Sequence, residues 1–153
     1  MSLPCHLEHQ FPARNRQIIT CVDILKPVPR SGEIVVLQSG VAALWDTGAS
    51  GTTISHALAQ KLGLRSMGTR QMLSASGTAT TSAYLAGLQI TTDIMIPQIS
   101  VMGFAGAGNF EMLIGMDIIS RGDFLVSTAN GITHFSFMVP SRGGFTLASI
   151  VKL

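Results

Sequence analysis

The sequence predicts a mostly β domain built from hairpins, with one or two short helices. Three observations carry this. β-Branched and aromatic residues gather in short runs, as in residues 17–25 and 132–139. Turn residues separate these runs, among them Pro27, Pro29, Gly77 and the pair Asn130-Gly131, a strong hairpin signal. Helix signals are confined to a short run after Ser55 and a single turn after Asp117.

In chain order, residues 1–16 mix Pro4, Pro12, His6, His9, Arg14 and Arg16 without periodicity. They are expected to be a leader ordered only by docking, with the domain proper at 17–153. Residues 17–25 form a strand ended by Pro27 and Pro29. A strand at 33–37, a turn at Gln38-Ser39-Gly40 and a returning strand at 41–45 make a hairpin that leads into Asp46. Residues 52–55 are extended, and Ser55 caps a helix over 56–62 that Gly63 stops. His56 is expected to be exposed in its first turn.

Residues 70–90 are polar and β-compatible, with small side chains that place a hairpin end between Ser74 and Thr78. A strand at 94–102, a glycine-rich loop at 103–108 and a return at 110–114 follow. Asp117 is expected to cap a helical turn through Ser120. Residues 123–127 and 132–139 pair across the turn at 129–131. There Phe135, Phe137 and Val139 share one face and His134 takes the other. Residues 145–151 are a last apolar strand.

With 153 residues the chain fits one domain with a real core. Apolar residues at 46% and charged residues at 12% argue against disorder. Low charge and positive mean hydropathy point to apolar surface covered by self-association. A net charge of +2 on scattered Lys and Arg gives no reason to expect a nucleic-acid or membrane partner. Cys5 and Cys21 are too few for a metal centre even with His6 and His9, so neither metal nor cofactor is expected. The start lacks the basic-then-apolar pattern of a signal peptide, and no apolar run reaches a membrane span. A cytoplasmic, reducing setting is the expectation.

The chemistry concentrates in one stretch, Ala43-Leu44-Trp45-Asp46-Thr47-Gly48-Ala49-Ser50. An apolar strand enters a dry interior, where an unpaired carboxylate is costly. Gly48 permits a tight turn there, and the small residues after it let other backbone approach. The carboxylate is thereby held at a loop tip with amide N–H groups close by. Leu44-Trp45-Asp46-Thr47-Gly48-Ala49 resembles the catalytic loop of the retropepsin-like (retroviral-type) aspartic proteases. Met112-Leu113-Ile114-Gly115-Met116-Asp117-Ile118-Ile119 resembles the apolar-apolar-Gly-x-Asp segment late in that domain. Order and spacing match from about Ile18 to Val139.

The resemblance implies a retropepsin-like closed barrel or β-sandwich and an aspartic endopeptidase acting on peptide or protein substrate without cofactor. It makes Asp46, Thr47 and Gly48 catalytic. It sets Ala49 against substrate, with Ser74, Ala75, Ser76, Gly77 and Thr78 as the end of a covering flap. Trp45, in an extended strand beside Asp46, points the other way and is expected in core or interface packing. Ser50 and Met116 depart from viral usage, where an acid and an arginine are common.

The mechanism needs two carboxylates sharing a proton, and this chain has one such loop. A homodimer follows, with Asp46 beside its symmetry mate. Two close carboxylates titrate in separate steps. Alanine at 49, where pepsins have serine, leads us to expect a mildly acidic optimum. A rival from another class is a catalytically inactive dimerisation or peptide-binding module on the same fold.

Overall fold

Alternation of apolar and polar residues pairs this chain into two sheets in the computed structural model, which describes residues 5–28, 32–74, 77–143, 146 and 148. The elements are β1 (Cys5–Phe11), β2 (Ile19–Leu25), β3 (Val36–Trp45), β4 (Thr53–Ser55), α1 (His56–Lys61), β5 (Ser66–Ser74), β6 (Gly77–Gln89), β7 (Met95–Phe104), β8 (Met112–Ile114), α2 (Met116–Ile119), β9 (Asp123–Ala129) and β10 (Ile132–Val139). The larger sheet runs β2-β3-β8-β4-β7-β6-β5, and β2 also pairs with β6. The sheet therefore closes on itself, with β5 hanging from β6. The smaller sheet is antiparallel, β1-β10-β9. A mostly β, closed architecture with two short helices is the class the sequence predicted.

The core fills the closed sheet, and part of it lies where the smaller sheet meets the end of β3 at Trp45. Phe135 and Phe137 are almost wholly buried and stack at 5.0 and 4.9 Å from the Trp45 ring. Trp45 points away from the Asp46 loop, as its alternation requires, and its buried Nε1–H donates to Thr20 Oγ1 at 3.0 Å. Thr20→Val keeps the shape but strands that donor. We expect it to cost about 1–3 kcal/mol, measured as a lower urea midpoint with an unchanged m-value.

Local signals explain most element ends. Ser55 Oγ accepts from Leu58 N–H at 3.1 Å, the expected cap of α1. At its other end Gly63 N–H donates to Gln60 C=O and Leu64 N–H to Ala59 C=O, both at 3.0 Å, in the Schellman pattern. Asn130 and Gly131 take φ of 53° and 76°, the type I′ turn that joins β9 to β10. Asp123 accepts from the Ser141 hydroxyl and from Arg142 N–H, and these bonds, the first foremost, hold its pKa below the ordinary carboxylate value. A depressed pKa stabilises above the unfolded value, so this surface clasp is lost only as pH falls through the folded value.

Several expectations change. The segment read as a leader supplies β1, whose register pairs Cys5 with Val139 and Phe11 with Thr133. The turn at Gln38-Ser39-Gly40 does not exist, because β3 runs through it. Over this stretch β3 pairs with β2, and the register slips by one residue between Val22 and Ile24. Gly40 at φ 69° absorbs this bulge, with its N–H on Asp23 Oδ1 at 2.9 Å. His56 is half-buried rather than exposed, and its ring nitrogens lie near the Tyr84 and Thr81 hydroxyls. On β10, His134 is exposed as expected, and Val139 is half-buried against the core beside Phe135 and Phe137. Of the apolar strand expected at 145–151 only Thr146 and Ala148 are among the described residues, and neither lies in a strand. Among the described residues, no helix is long and apolar enough to cross a membrane.

Candidate active site

Two strands leave and enter the Asp46 loop, β3 before it and β4 after it, and β8 lies between them. It runs parallel to β3, pairing Ala43 with Met112 and Trp45 with Ile114, and antiparallel to β4. Asp46 N–H continues this pairing onto Ile114 C=O at 3.0 Å. The strand register thus fixes where the carboxylate emerges.

The loop turns on itself at once. Half-buried Asp46 accepts the Gly48 N–H on Oδ1 at 2.8 Å, and its carbonyl accepts Ala49 N–H at 3.2 Å. Thr47 and Gly48 are exposed, and Ala49 is half-buried. One face of the Asp46 carboxyl is therefore steadied by backbone, leaving the rest of the group for other partners.

A second set of bonds ties the loop to α2. Met116 N–H donates to Ala49 C=O at 2.8 Å and Asp117 N–H to Ser50 C=O at 3.2 Å. The Asp117 carboxylate accepts both Thr52 N–H, at 3.0 Å, and the Thr52 hydroxyl, at 2.7 Å. Thr52 Oγ1 in turn accepts Gly115 N–H at 3.2 Å. Asp117 is consequently not the helix cap expected from sequence. The N-cap of α2 is Gly115, which makes no side-chain cap bond, and the carboxylate reaches across to the loop, where charge-assisted donors hold it. Nothing in the local sequence of Thr52 or Asp117 signals this partnership.

Asp46, Thr47, Gly48 and Ala49 thus share one loop. The other expected site residues belong to a separate element, the β5–β6 hairpin. Its register runs to the pair Ser74 and Gly77, so Gly77 and Thr78 open the returning strand, and both are exposed. Ala75 and Ser76 lie outside the described residues, as does the side chain of Ser74. Among the described residues, no group of three or more His, Cys, Asp or Glu side chains could hold a metal ion.

Residues 36–121, more than half of the chain, match the family described as "gag-polyprotein putative aspartyl protease". The chain belongs to this aspartyl protease family. The matched span takes in both the Asp46 loop and the Gly115-to-Asp117 segment that braces it, and most of the closed sheet. Among solved structures, a retropepsin-like aspartic protease from Rickettsia conorii aligns over 91% of this chain and 98% of its own, with a TM-score of 0.52 and 19% identity. At that identity the likeness is one of fold. The simian foamy virus (mac) protease aligns over 67% of this chain and 92% of its own, with a TM-score of 0.42 and 14% identity. Among curated proteins none matches this aspartyl protease family member.

Proposed function

We propose that this family member is an active aspartic endopeptidase that works as a homodimer, with Asp46 of each copy forming the carboxylate pair. The observation that carries it is the half-buried Asp46 carboxyl, steadied by Gly48 N–H in a loop whose family is that of aspartyl proteases. In the pair, one carboxylate takes a proton from water as the water oxygen bonds to the peptide carbonyl carbon. The other, protonated, gives its proton to the carbonyl oxygen. Collapse of the resulting diol breaks the C–N bond, and a proton moves to the leaving nitrogen. A single carboxyl cannot do both jobs in one step, so the site is complete only with the second copy.

Gly48 N–H steadies the carboxylate, the Thr47 hydroxyl bonds across the dimer axis, and Ala49 faces the peptide. The β5–β6 hairpin covers the peptide with its end from Ser74 to Thr78, and the peptide lies extended, adding backbone hydrogen bonds like a further strand. Free thiols at Cys5 and Cys21 suit a reducing compartment such as the cytoplasm.

Cleavage of a diverse peptide library between pH 4 and 7, with sedimentation on the same samples, tests this. Specific activity should rise with protein concentration in step with the dimer fraction. A monomer cleaving at full rate would overturn the shared site. A dimer that cleaves nothing would make the chain a binding module.

A further inference from the structure

The β5–β6 hairpin leaves the body of the molecule at a definite point. Along β6, residues 77–80 are exposed and Thr81 is the first buried side chain, 9% exposed. β6 pairs with β7 only from Ala83 onward. Opposite this point β5 carries an extra residue, because Thr69 pairs with Ser82 but Ser66 with Tyr84. Gly68, with φ of 92°, sits in that irregularity. A bulge on one strand and the last anchored residue on the other lie at the same level, and a ladder bends most readily at such a place.

His56 occupies this level from a third element. Its ring lies on the Gly103 backbone so closely that a Cβ there would fall 2.1 Å from Cε1. Nδ1 is 3.1 Å from the Tyr84 hydroxyl, and Nε2 is 3.2 Å from Thr81 Oγ1. The Thr81 hydroxyl gives its one proton to Gly103 C=O at 2.7 Å, so its oxygen must accept from Nε2–H. In the neutral ring carrying that proton, Nδ1 accepts from the Tyr84 hydroxyl. One neutral tautomer therefore completes a relay from Tyr84 through His56 and Thr81 to Gly103. This relay fastens α1 to β6 on both sides of the bend and to β7 beneath it.

We propose that His56 is the positioning residue of a hinge, fixing the point about which residues 69–74 and 77–80 swing and so the pose in which the hairpin meets peptide. This rests on the reading of the hairpin as the cover over substrate. Hydrogen exchange reads the hinge without substrate, and cleavage kinetics read its use. In His56→Ala, amides of residues 69–73 and 78–80 should exchange about tenfold faster, while those of β1 and β10 keep their rates. KM should rise about fivefold with kcat within about twofold, since Asp46 is untouched.

His56→Gln, whose amide offers an NH2 group as donor and a carbonyl oxygen as acceptor, should restore most of both readouts. Thr81→Val, which deletes only the hydroxyl link, should reproduce the loss. Unchanged hairpin exchange in both His56→Ala and Thr81→Val, or equal acceleration throughout the protein, would overturn the hinge. If exchange behaves as stated but the wild type cleaves no peptide, the hinge stands and the protease reading falls.

Discussion

Asp46→Asn is expected to lose peptide cleavage by at least about 10³-fold, the scale of a positioned acid–base group, while keeping its fold. The amide oxygen can still accept Gly48 N–H, which Asp46 Oδ1 now does at 2.8 Å, so the loop keeps its internal bond. What disappears is the ability to take up and release a proton, and in a symmetric dimer it disappears from both sides of the water at once. Unfolding free energy should therefore stay within about 0.5 kcal/mol of wild type, and the dimer should persist by sedimentation. Cleavage at an undiminished rate would place the activity elsewhere, or in a contaminant. Collapse of the fold would mean that Asp46 has a structural role this geometry does not give it.

Gly115→Ala should damage both stability and activity. A Cβ at this position would lie 2.6 Å from both the carbonyl carbon and the oxygen of Gly51, and 3.0 Å from the carbonyl oxygen of Ala49. These are backbone atoms of the Asp46 loop, with no side-chain torsion to relieve the clash, so the loop and α2 must part. Parting them strains the Met116 bond to Ala49 and the Asp117 bonds to Ser50 and Thr52. We expect a loss of about 3 kcal/mol, at the upper end for overpacking. We also expect kcat/KM to fall about 10²-fold, as a displacement near 1 Å of reacting groups produces. Gly108→Ala is the control, because nothing lies within 4 Å of its added Cβ, and it should match wild type within about 0.5 kcal/mol. Equal behaviour of the two variants in urea unfolding and in cleavage would show that the brace is soft.

The Asp46 loop could be read from sequence because its residues are contiguous. An apolar strand, an acid and a glycine in immediate succession constrain one another. The strands could be read because period-two alternation is local, as with Phe135 and Phe137 against His134. β1 escaped notice although Cys5, Leu7 and Phe11 alternate with His6, Glu8 and Gln10, because the outward residues are so polar that the segment resembles a loose end. The turn expected at Gly40 failed for a different reason. Glycine serves a bulge as well as a turn, and only the partner strand decides between them. Asp117 and His56 were misplaced because their partners are distant in sequence, Thr52 for one and Thr81 and Tyr84 for the other. No local pattern encodes a hydrogen bond of that span.

The insertion of β8 between β3 and β4 also orders events in time. Synthesis delivers Asp46 long before Met112, the residue that must lie beside Ala43 for the loop to be seated. β1 likewise waits for β10, its partner from Thr133 to Val139. Pairings of such long range are the slow, late steps of folding. A chain made only as far as β7 therefore carries Asp46 without the strand that seats its loop.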